Sequence, residues 1–191
     1  SNATGTATAG AMWWGGIDHL NGTGTWRDVR RNLVVGAPRG IAFDGDDNVS
    51  GAGTGATFTI GGNYLGVARD GVTPLGSATT LGGIVVNGYP TGLTIGGTAT
   101  ADVNVISGNG GPGIAITADN KNVKIQRNSI WGNAGLGIDL LSNGVTANDG
   151  AKSAGSPNQL MDFPVIGTAT LTGTNLTLSG YVGSAAGQAA F

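Results

Sequence analysis

Short alternations of apolar and polar residues recur along the chain, and glycine or asparagine bounds each of them. The clearest unit is a Gly-Ile pair that leads into further apolar positions. Its five copies begin at Gly16, Gly40, Gly83, Gly113 and Gly137. Their isoleucines are 24, 43, 30 and 24 residues apart, which indicates a repeat of this shortest step interrupted by insertions. Alternation over so few residues predicts half-buried β-strands.

Two further markers divide each repeat. One is an asparagine followed two positions later by an apolar residue, and it begins at Asn32, Asn63, Asn104 and Asn128. The other is a pair of apolar residues one position apart, and it begins at Phe58, Leu93 and Val123. Together the markers predict three short strands per repeat, separated by turns at glycine or asparagine, which tolerate positive φ.

Three strands in so short a repeat favour a solenoid over an antiparallel meander, because only the segment 173–175 resembles a hairpin turn. In a solenoid each strand pairs in parallel with its counterpart one coil away, so equivalent positions stack about 4.8 Å apart. We therefore predict an all-β fold, a parallel β-helix of about five coils. The predicted inward columns are Ile17, Ile41, Ile84, Ile114 and Ile138 in one sheet and Val34, Leu65, Ile106 and Ile130 in another.

The recurring asparagines are predicted to be structural. An asparagine at one corner of each coil can bond to the turn backbone and to the asparagines of the neighbouring coils. It would thereby satisfy polar groups that the sheet ladders leave unpaired. These predicted corner residues are Asn32, Asn63, Asn104 and Asn128.

The composition supports a folded β-protein and limits the classes of partner that it could bind. Charged residues make up only 10% of the 191 residues and hydrophobic ones 39%, unlike a disordered chain. The net charge of −2 and the absence of a basic stripe argue against nucleic acid as a partner. No apolar run is long enough to predict a membrane span. The absence of cysteine excludes disulfides and thiolate metal sites.

The run at 104–140, NVISGNGGPGIAITADNKNVKIQRNSIWGNAGLGIDL, carries a resemblance to a known family. It resembles right-handed parallel β-helix repeat proteins of the pectate-lyase-like superfamily, and is similar to long bacterial surface proteins with N-x-I-x-G-N and G-I-x-I coils. The similarity covers about residues 30–166. It implies a right-handed, single-stranded helix, but the superfamily includes lyases, hydrolases, adhesins and passive stalks, so it leaves the function open.

The resemblance also suggests the domain organisation. Residues 1–3, Ser-Asn-Ala, match the remnant of an expression tag. We assign 4–142 to the β-helix and 143–166 to its closing segment, which resembles the end of the repeat region in such proteins. Residues 167–191 are predicted to be strands that begin a truncated β-sandwich module, with pairing onto the last coil as the alternative. The chain is expected to be a piece of a longer secreted protein.

Catalysis of the kind found in this superfamily needs carboxylates on one outer face. In the predicted register Asp18 and Asp139 lie on the first and last strands of one sheet. Four steps of about 4.8 Å would separate them by roughly 19 Å, whereas paired acids in glycosidases lie about 5–10 Å apart. The sequence therefore favours a non-enzymatic chain.

Ligand-binding candidates lie in loops and at aromatic residues. Asp44, Asp46 and Asp47 form an oxygen-rich loop suited to calcium, the one cofactor that the sequence suggests, although a solvated turn is the favoured interpretation. Trp13 and Trp14 could stack on sugar rings or cover the open end of the helix.

Trp131 is a further aromatic candidate. It follows the inward Ile130, so alternation places it outward or in a turn, where local packing is the competing interpretation.

The preferred functional hypothesis is a spacer or adhesion surface that is extracellular or on a bacterial cell surface. A cell-surface glycan or protein would be its partner, and the sequence does not define the oligomeric state. The alternative is a carbohydrate-active β-helix of the lyase or hydrolase type, with an active site that lies partly outside these residues. A carbohydrate-binding module built on Trp13 and Trp14 is a third possibility.

Overall fold

The computed structural model describes residues 16–19, 28–43, 58–75, 81–88, 92–117 and 123–183. Within these ranges the chain forms β-strands and two 3-10 turns, Thr100–Asp102 and Pro157–Leu160. The strands are β1 (Ile17–His19), β2 (Asp28–Arg30), β3 (Leu33–Val34), β4 (Arg39–Phe43), β5 (Phe58–Gly61), β6 (Tyr64–Leu65), β7 (Gly82–Val86), β8 (Leu93–Gly96), β9 (Val105–Ser107), β10 (Ile114–Ile116), β11 (Lys124–Gln126), β12 (Ser129–Trp131), β13 (Ile138–Leu140), β14 (Pro164–Thr172) and β15 (Asn175–Val182).

The first thirteen strands form three parallel sheets in which each strand pairs with the third strand after it. Sheet 1 has the order β1-β4-β7-β10-β13, sheet 2 contains β2, β5, β8 and β11, and sheet 3 contains β3, β6, β9 and β12. The strand pairings within these sheets are parallel. This arrangement confirms the predicted parallel β-helix, with four coils of three strands following β1.

The predicted columns are confirmed in register, but Ile138 at the end of the first column is 43% exposed. Ile41 pairs with Ile84, Ile84 with Ile114, and Ile114 with Ile138 in sheet 1. In sheet 3, Leu65 pairs with Ile106. Burying one such side chain contributes about 1.5–3 kcal/mol, and β-branched residues suit a pleated surface of this kind.

Sheet 2 has an inward column that sequence analysis found only in part. Val29, Ile60, Ile95 and Ile125 stack in register across its four strands. The first of these strands was missed because Asp28 and Arg30 flank a single apolar residue, so β2 lacks the paired apolar marker.

The glycine before each sheet 1 isoleucine lies at or just before the start of its sheet 1 strand. A Cβ at Gly83 would lie 2.6 Å from the Ile106 Cγ2, and one at Gly113 would lie 2.5 Å from the Ile130 Cγ2. Both distances are shorter than carbon atoms tolerate, so the corner is occupied by the neighbouring column. Packing therefore requires the glycine of the Gly-Ile marker at Gly83 and Gly113, whereas at Gly137 a Cβ would lie 3.7 Å from the Ile130 Cγ2, an ordinary contact.

The outer row of sheet 1 is buried as well. Ala42, Val85 and Ala115 alternate with the inward isoleucines, yet they are only 1%, 5% and 0% exposed. A strand that is buried on both faces has a continuous apolar sequence, as in Gly82–Val86. This face is consequently not an open surface for a polymeric substrate.

The C-terminal part of the described chain differs from the coils. Turns lead from β13 to β14, and β14 and β15 form a separate antiparallel two-stranded sheet. Asn158 joins the closing segment to the last coil, because its side chain accepts from the Val123 N–H at 3.0 Å and donates to the Val123 carbonyl at 3.0 Å. It thus replaces a missing strand partner at the edge of the final coil.

Candidate functional site

Four asparagines form a ladder that runs the length of the helix at the corner between sheets 2 and 3. The Asn32 Nδ2 donates to the Asn63 Oδ1 at 3.0 Å, the Asn63 Nδ2 to the Asn104 Oδ1 at 2.9 Å, and the Asn104 Nδ2 to the Asn128 Oδ1 at 2.8 Å. Asn63 and Asn104 are fully buried. The ladder therefore binds neighbouring coils and is not accessible to a ligand at its centre.

Three of the four ladder amides also bond to a backbone carbonyl of the preceding coil. Asn63 donates to the Val29 carbonyl at 2.9 Å, Asn104 to the Ile60 carbonyl at 2.8 Å, and Asn128 to the Ile95 carbonyl at 3.0 Å. The arrangement satisfies buried polar groups at the corner. Such a role needs a side chain that both donates and accepts hydrogen bonds, as an amide does. Ionised aspartate and glutamate only accept.

A second, shorter asparagine ladder was not singled out from the sequence. The Asn109 Nδ2 donates to the Asn133 Oδ1 at 2.8 Å and to the Leu65 carbonyl at 3.2 Å. The signal was present, because both residues end an N-x-I-x-G-N run and lie 24 positions apart. The turn after sheet 3 is thus tied in the same way as the turn before it.

The outer face of sheet 2 carries an ion cluster formed by Asp28, Arg30 and Asp102. The Arg30 Nε donates to the Asp28 Oδ1 at 3.0 Å, and its Nη1 donates to the Asp102 Oδ1. Arg30 lies in the first complete coil, whereas Asp102 lies in the 3-10 turn that precedes β9. Gly61 lies between them, and a Cβ there would be 3.3 Å from the Arg30 Nη1. The cluster therefore spans the intervening coil.

The electrostatics of this cluster do not resemble those of a general acid. The hydrogen bond from Arg30 lowers the pKa of the Asp102 carboxyl, against an opposing effect of desolvation. Desolvation alone would lower the pKa of Arg30, but its bonds to Asp28 and Asp102 raise it. A glycosidase acid needs a raised pKa, so Asp102 is held in the wrong protonation state for that role.

Asp18 and Asp139 occupy the positions predicted for them. The register runs from Asp18 through Ala42, Val85 and Ala115 to Asp139, so four strand spacings, roughly 19 Å, separate the two. Asp139 is buried and accepts from the backbone N–H groups of Asn143 at 3.3 Å and Gly144 at 3.2 Å. Its carboxylate shapes the turn that ends the last coil.

Trp131 is the one aromatic candidate within the described residues. It lies in β12, is 43% exposed, and pairs with Ser107 of the preceding coil. Ser107 is 1% exposed, and its hydroxyl has no hydrogen-bond partner.

The remaining predicted site residues lie outside the described residues, namely Trp13, Trp14, Asp44, Asp46 and Asp47. Within the ranges that the structure describes, no three His, Cys, Asp or Glu side chains come together to hold a metal ion. The calcium hypothesis therefore stays a prediction for the loop at 44–47.

An apolar cavity of about 950 Å³ lies beside the last coil. Its walls come from sheets 1 and 2, including Ile125 and Leu140, and from the closing segment, including Met161 and Phe163. Lys152 and Asp162 are the charged residues that line it. Asp162 accepts from the Asp149 N–H at 3.1 Å, so its side chain is already used to order the closing segment.

No protein-family model matches the chain, and no solved structure matches it either. In the portion that the structure describes, no helix is long and apolar enough to cross a membrane.

Proposed function

We propose that this chain is a non-enzymatic, extracellular spacer or adhesion module. The observation that carries the proposal is the use of its polar side chains to join one coil to the next. The two asparagine ladders link successive coils. The ion pair between Arg30 and Asp102 links two coils that are separated by a third. A spacer requires such continuity along its axis, whereas an enzyme requires polar groups that are free to meet a substrate.

The family and location belong to the same proposal. The stacked parallel coils are compatible with a right-handed helix of the pectate-lyase-like superfamily, and the N-x-I-x-G-N runs favour the large bacterial cell-surface type. We further propose that 143–166 closes the helix and that 167–191 begins a separate β-sandwich module. Pairing of β14 with β15 as their own sheet supports a separate module, although β14 begins at Pro164, three residues before the proposed boundary.

Two measurements test the spacer proposal. Single-molecule stretching should show that the helix resists force cooperatively, and Asn63→Ala, which interrupts the longer ladder, should lower the unfolding force. Asn87→Ala is the matched control, because Asn87 is exposed and its side chain accepts a hydrogen bond from the Thr117 hydroxyl at the surface. Equal unfolding forces for the two variants would contradict the proposal. A glycan array then tests the adhesion function, and binding is expected to survive the loss of the Arg30 side chain.

The second candidate is a carbohydrate-active β-helix, which the Asp28, Arg30 and Asp102 cluster favours. Two carboxylates and a basic residue on one outer face resemble the components of a polysaccharide lyase. The test is incubation with acidic polysaccharides while unsaturated uronate and new reducing ends are measured. Cleavage that Arg30→Ala abolishes would establish this candidate and overturn the spacer proposal, whereas absence of cleavage is the expected result.

A further inference from the structure

Two exposed arginines, Arg31 and Arg127, have a backbone conformation that arginine rarely adopts. Each comes directly before a corner asparagine, Asn32 or Asn128, and their φ angles are 60° and 51°. The equivalent residue of the second complete coil is Gly62, with a φ of 69°. Glycine occupies this left-handed region without steric cost, whereas a residue with a Cβ is strained there. The corner therefore requires positive φ, and the chain has arginine at two positions that suit glycine.

The contacts within the fold do not explain why these two residues are arginines. Arg31 has no ion-pair partner among the residues that the structure describes. Arg127 donates from its Nη1 to the Thr98 carbonyl at the exposed surface, where water could take the place of either group. Strained residues that the fold itself does not need are typical of binding sites. The strain at the two arginines therefore points to a role outside the fold.

The charge around the two arginines is positive. Lys124 is exposed in β11, three positions before Arg127. The ion cluster at the same corner contributes one basic and two acidic side chains, which already bond to each other. Among the described residues this corner thus has two more basic than acidic side chains, although the whole chain has a net charge of −2. Such a local excess of positive charge favours an anionic partner.

The spacing of the two arginines limits the kind of anion. They follow Arg30 and Gln126, which lie three strands apart in register, so three spacings of about 4.8 Å place their backbones roughly 14 Å apart. The turn Thr100–Asp102 lies between them, because the Gly62 N–H donates to the Asp102 carbonyl at 3.0 Å. A ligand that contacts both arginines therefore needs more than one anionic group, as a polymer has.

We propose that the two arginines bind sulfate or phosphate ester groups of a polymer that lies along this corner of the helix. Arginine forms paired hydrogen bonds with oxyanions. A tetrahedral ester presents pairs of oxygens in several directions, whereas a carboxylate presents one pair in one plane. Because the stacked coils fix the positions of both arginines, the ester is the group better able to meet both. The inference rests on the adhesion part of the proposed function and names the chemistry of its partner.

Binding to dextrans that differ only in their substituent tests the proposal. The parent chain should bind dextran sulfate or dextran phosphate more tightly than carboxymethyl dextran, and the tighter of the two esters identifies the group. Arg31→Gly with Arg127→Gly should raise the Kd for that ester about tenfold or more. The matched control, Arg69→Ala with Lys152→Ala, removes two exposed positive charges elsewhere and should change the Kd by about twofold or less.

The thermal midpoint separates ligand binding from a structural role. The glycine double variant should unfold at the same or a higher temperature than the parent chain, because it relieves strain at both corners. A clearly lower midpoint, an unchanged Kd for this variant, or equally tight binding of carboxymethyl dextran would each overturn the proposal. Failure of the parent chain to bind either ester would also overturn it, while the stretching measurement still decides the spacer function separately.

Discussion

Truncation of Asn63 to alanine is the most informative perturbation of the corner ladder. Asn63 is fully buried. Its amide donates to Asn104 and to the Val29 carbonyl, and its Oδ1 accepts from both the N–H and the Nδ2 of Asn32 at 3.0 Å. Alanine removes all four bonds.

The magnitude follows from the groups that lose a partner. The Asn32 Nδ2 retains its bond to the Arg30 carbonyl at 3.1 Å, and the Asn104 Oδ1 retains its bond from the Asn63 N–H at 3.0 Å. The Asn32 N–H and a lone pair of the Val29 oxygen lose theirs. An unsatisfied buried group costs about 1–3 kcal/mol, so Asn63→Ala should lower the free energy of unfolding by about 2–6 kcal/mol. That is a large share of the about 5–15 kcal/mol typical of a domain.

Urea unfolding followed by circular dichroism measures this loss as a lowered transition midpoint at unchanged slope. The control is Asn87→Ala at an exposed position, which should change the free energy of unfolding by about 0.5 kcal/mol or less. Asn128→Ala, at the partly buried end of the ladder, should fall between the two. If Asn63→Ala cost no more than the exposed control, the reasoning on buried corner amides would be refuted.

Three further predictions concern the core, the ion cluster and a turn. Ile106→Ala should lower the free energy of unfolding by about 2–5 kcal/mol. Ile138→Ala, at a 43% exposed position, should lower it clearly less. Equal decreases for the two variants in urea unfolding would argue against the core described. Because the pKa of Asp102 is lowered in the folded chain, its stabilising effect is present above the unfolded pKa of about 3.9 and disappears as pH falls through the lower folded value. Asp102→Asn should therefore flatten the pH dependence of the midpoint below about pH 4, and an unaltered acid profile would show that the ion pair is not formed. Gly96→Ala should destabilise the fold strongly, because a Cβ would lie 2.0 Å from a carbonyl oxygen of the neighbouring strand. Gly144→Ala, at a similar positive φ with nothing within 4 Å, should cost only its backbone strain. The thermal midpoints of the two variants compare these effects directly.

The repeated columns could be predicted because equivalent positions carry similar residues. Ile84 and Ile114 share a marker, a phase and a β-branched side chain, so stacking follows from the period alone. The strand around Val29 lacked the paired apolar marker, because its single inward residue is flanked by two charged residues. The burial of Val85 on the outer row was also beyond prediction, since alternation gives the side of a strand and not what covers that side.

Long-range polar contacts were harder to predict than columns. Arg30 and Asp102 are 72 positions apart, and their meeting depends on an insertion that folds back over an adjacent coil. No local pattern encodes that path. The Asn109–Asn133 ladder, in contrast, was readable, because the same reasoning that applies to the corner asparagines applies to a second asparagine at the same period.

The central claim is the register in which the coils stack, since the columns, the ladders and the separation of the acids all depend on it. Thr59 of β5 pairs with Thr94 of β8, which in turn pairs with Lys124 of β11. Neighbouring parallel strands lie about 4.8 Å apart, within the Cα separation that a disulfide accepts. In this cysteine-free chain, Thr59→Cys with Thr94→Cys should oxidise readily to an intramolecular disulfide, whereas Thr59→Cys with Lys124→Cys should not. Formation of the second disulfide in place of the first would contradict the register and the account built on it.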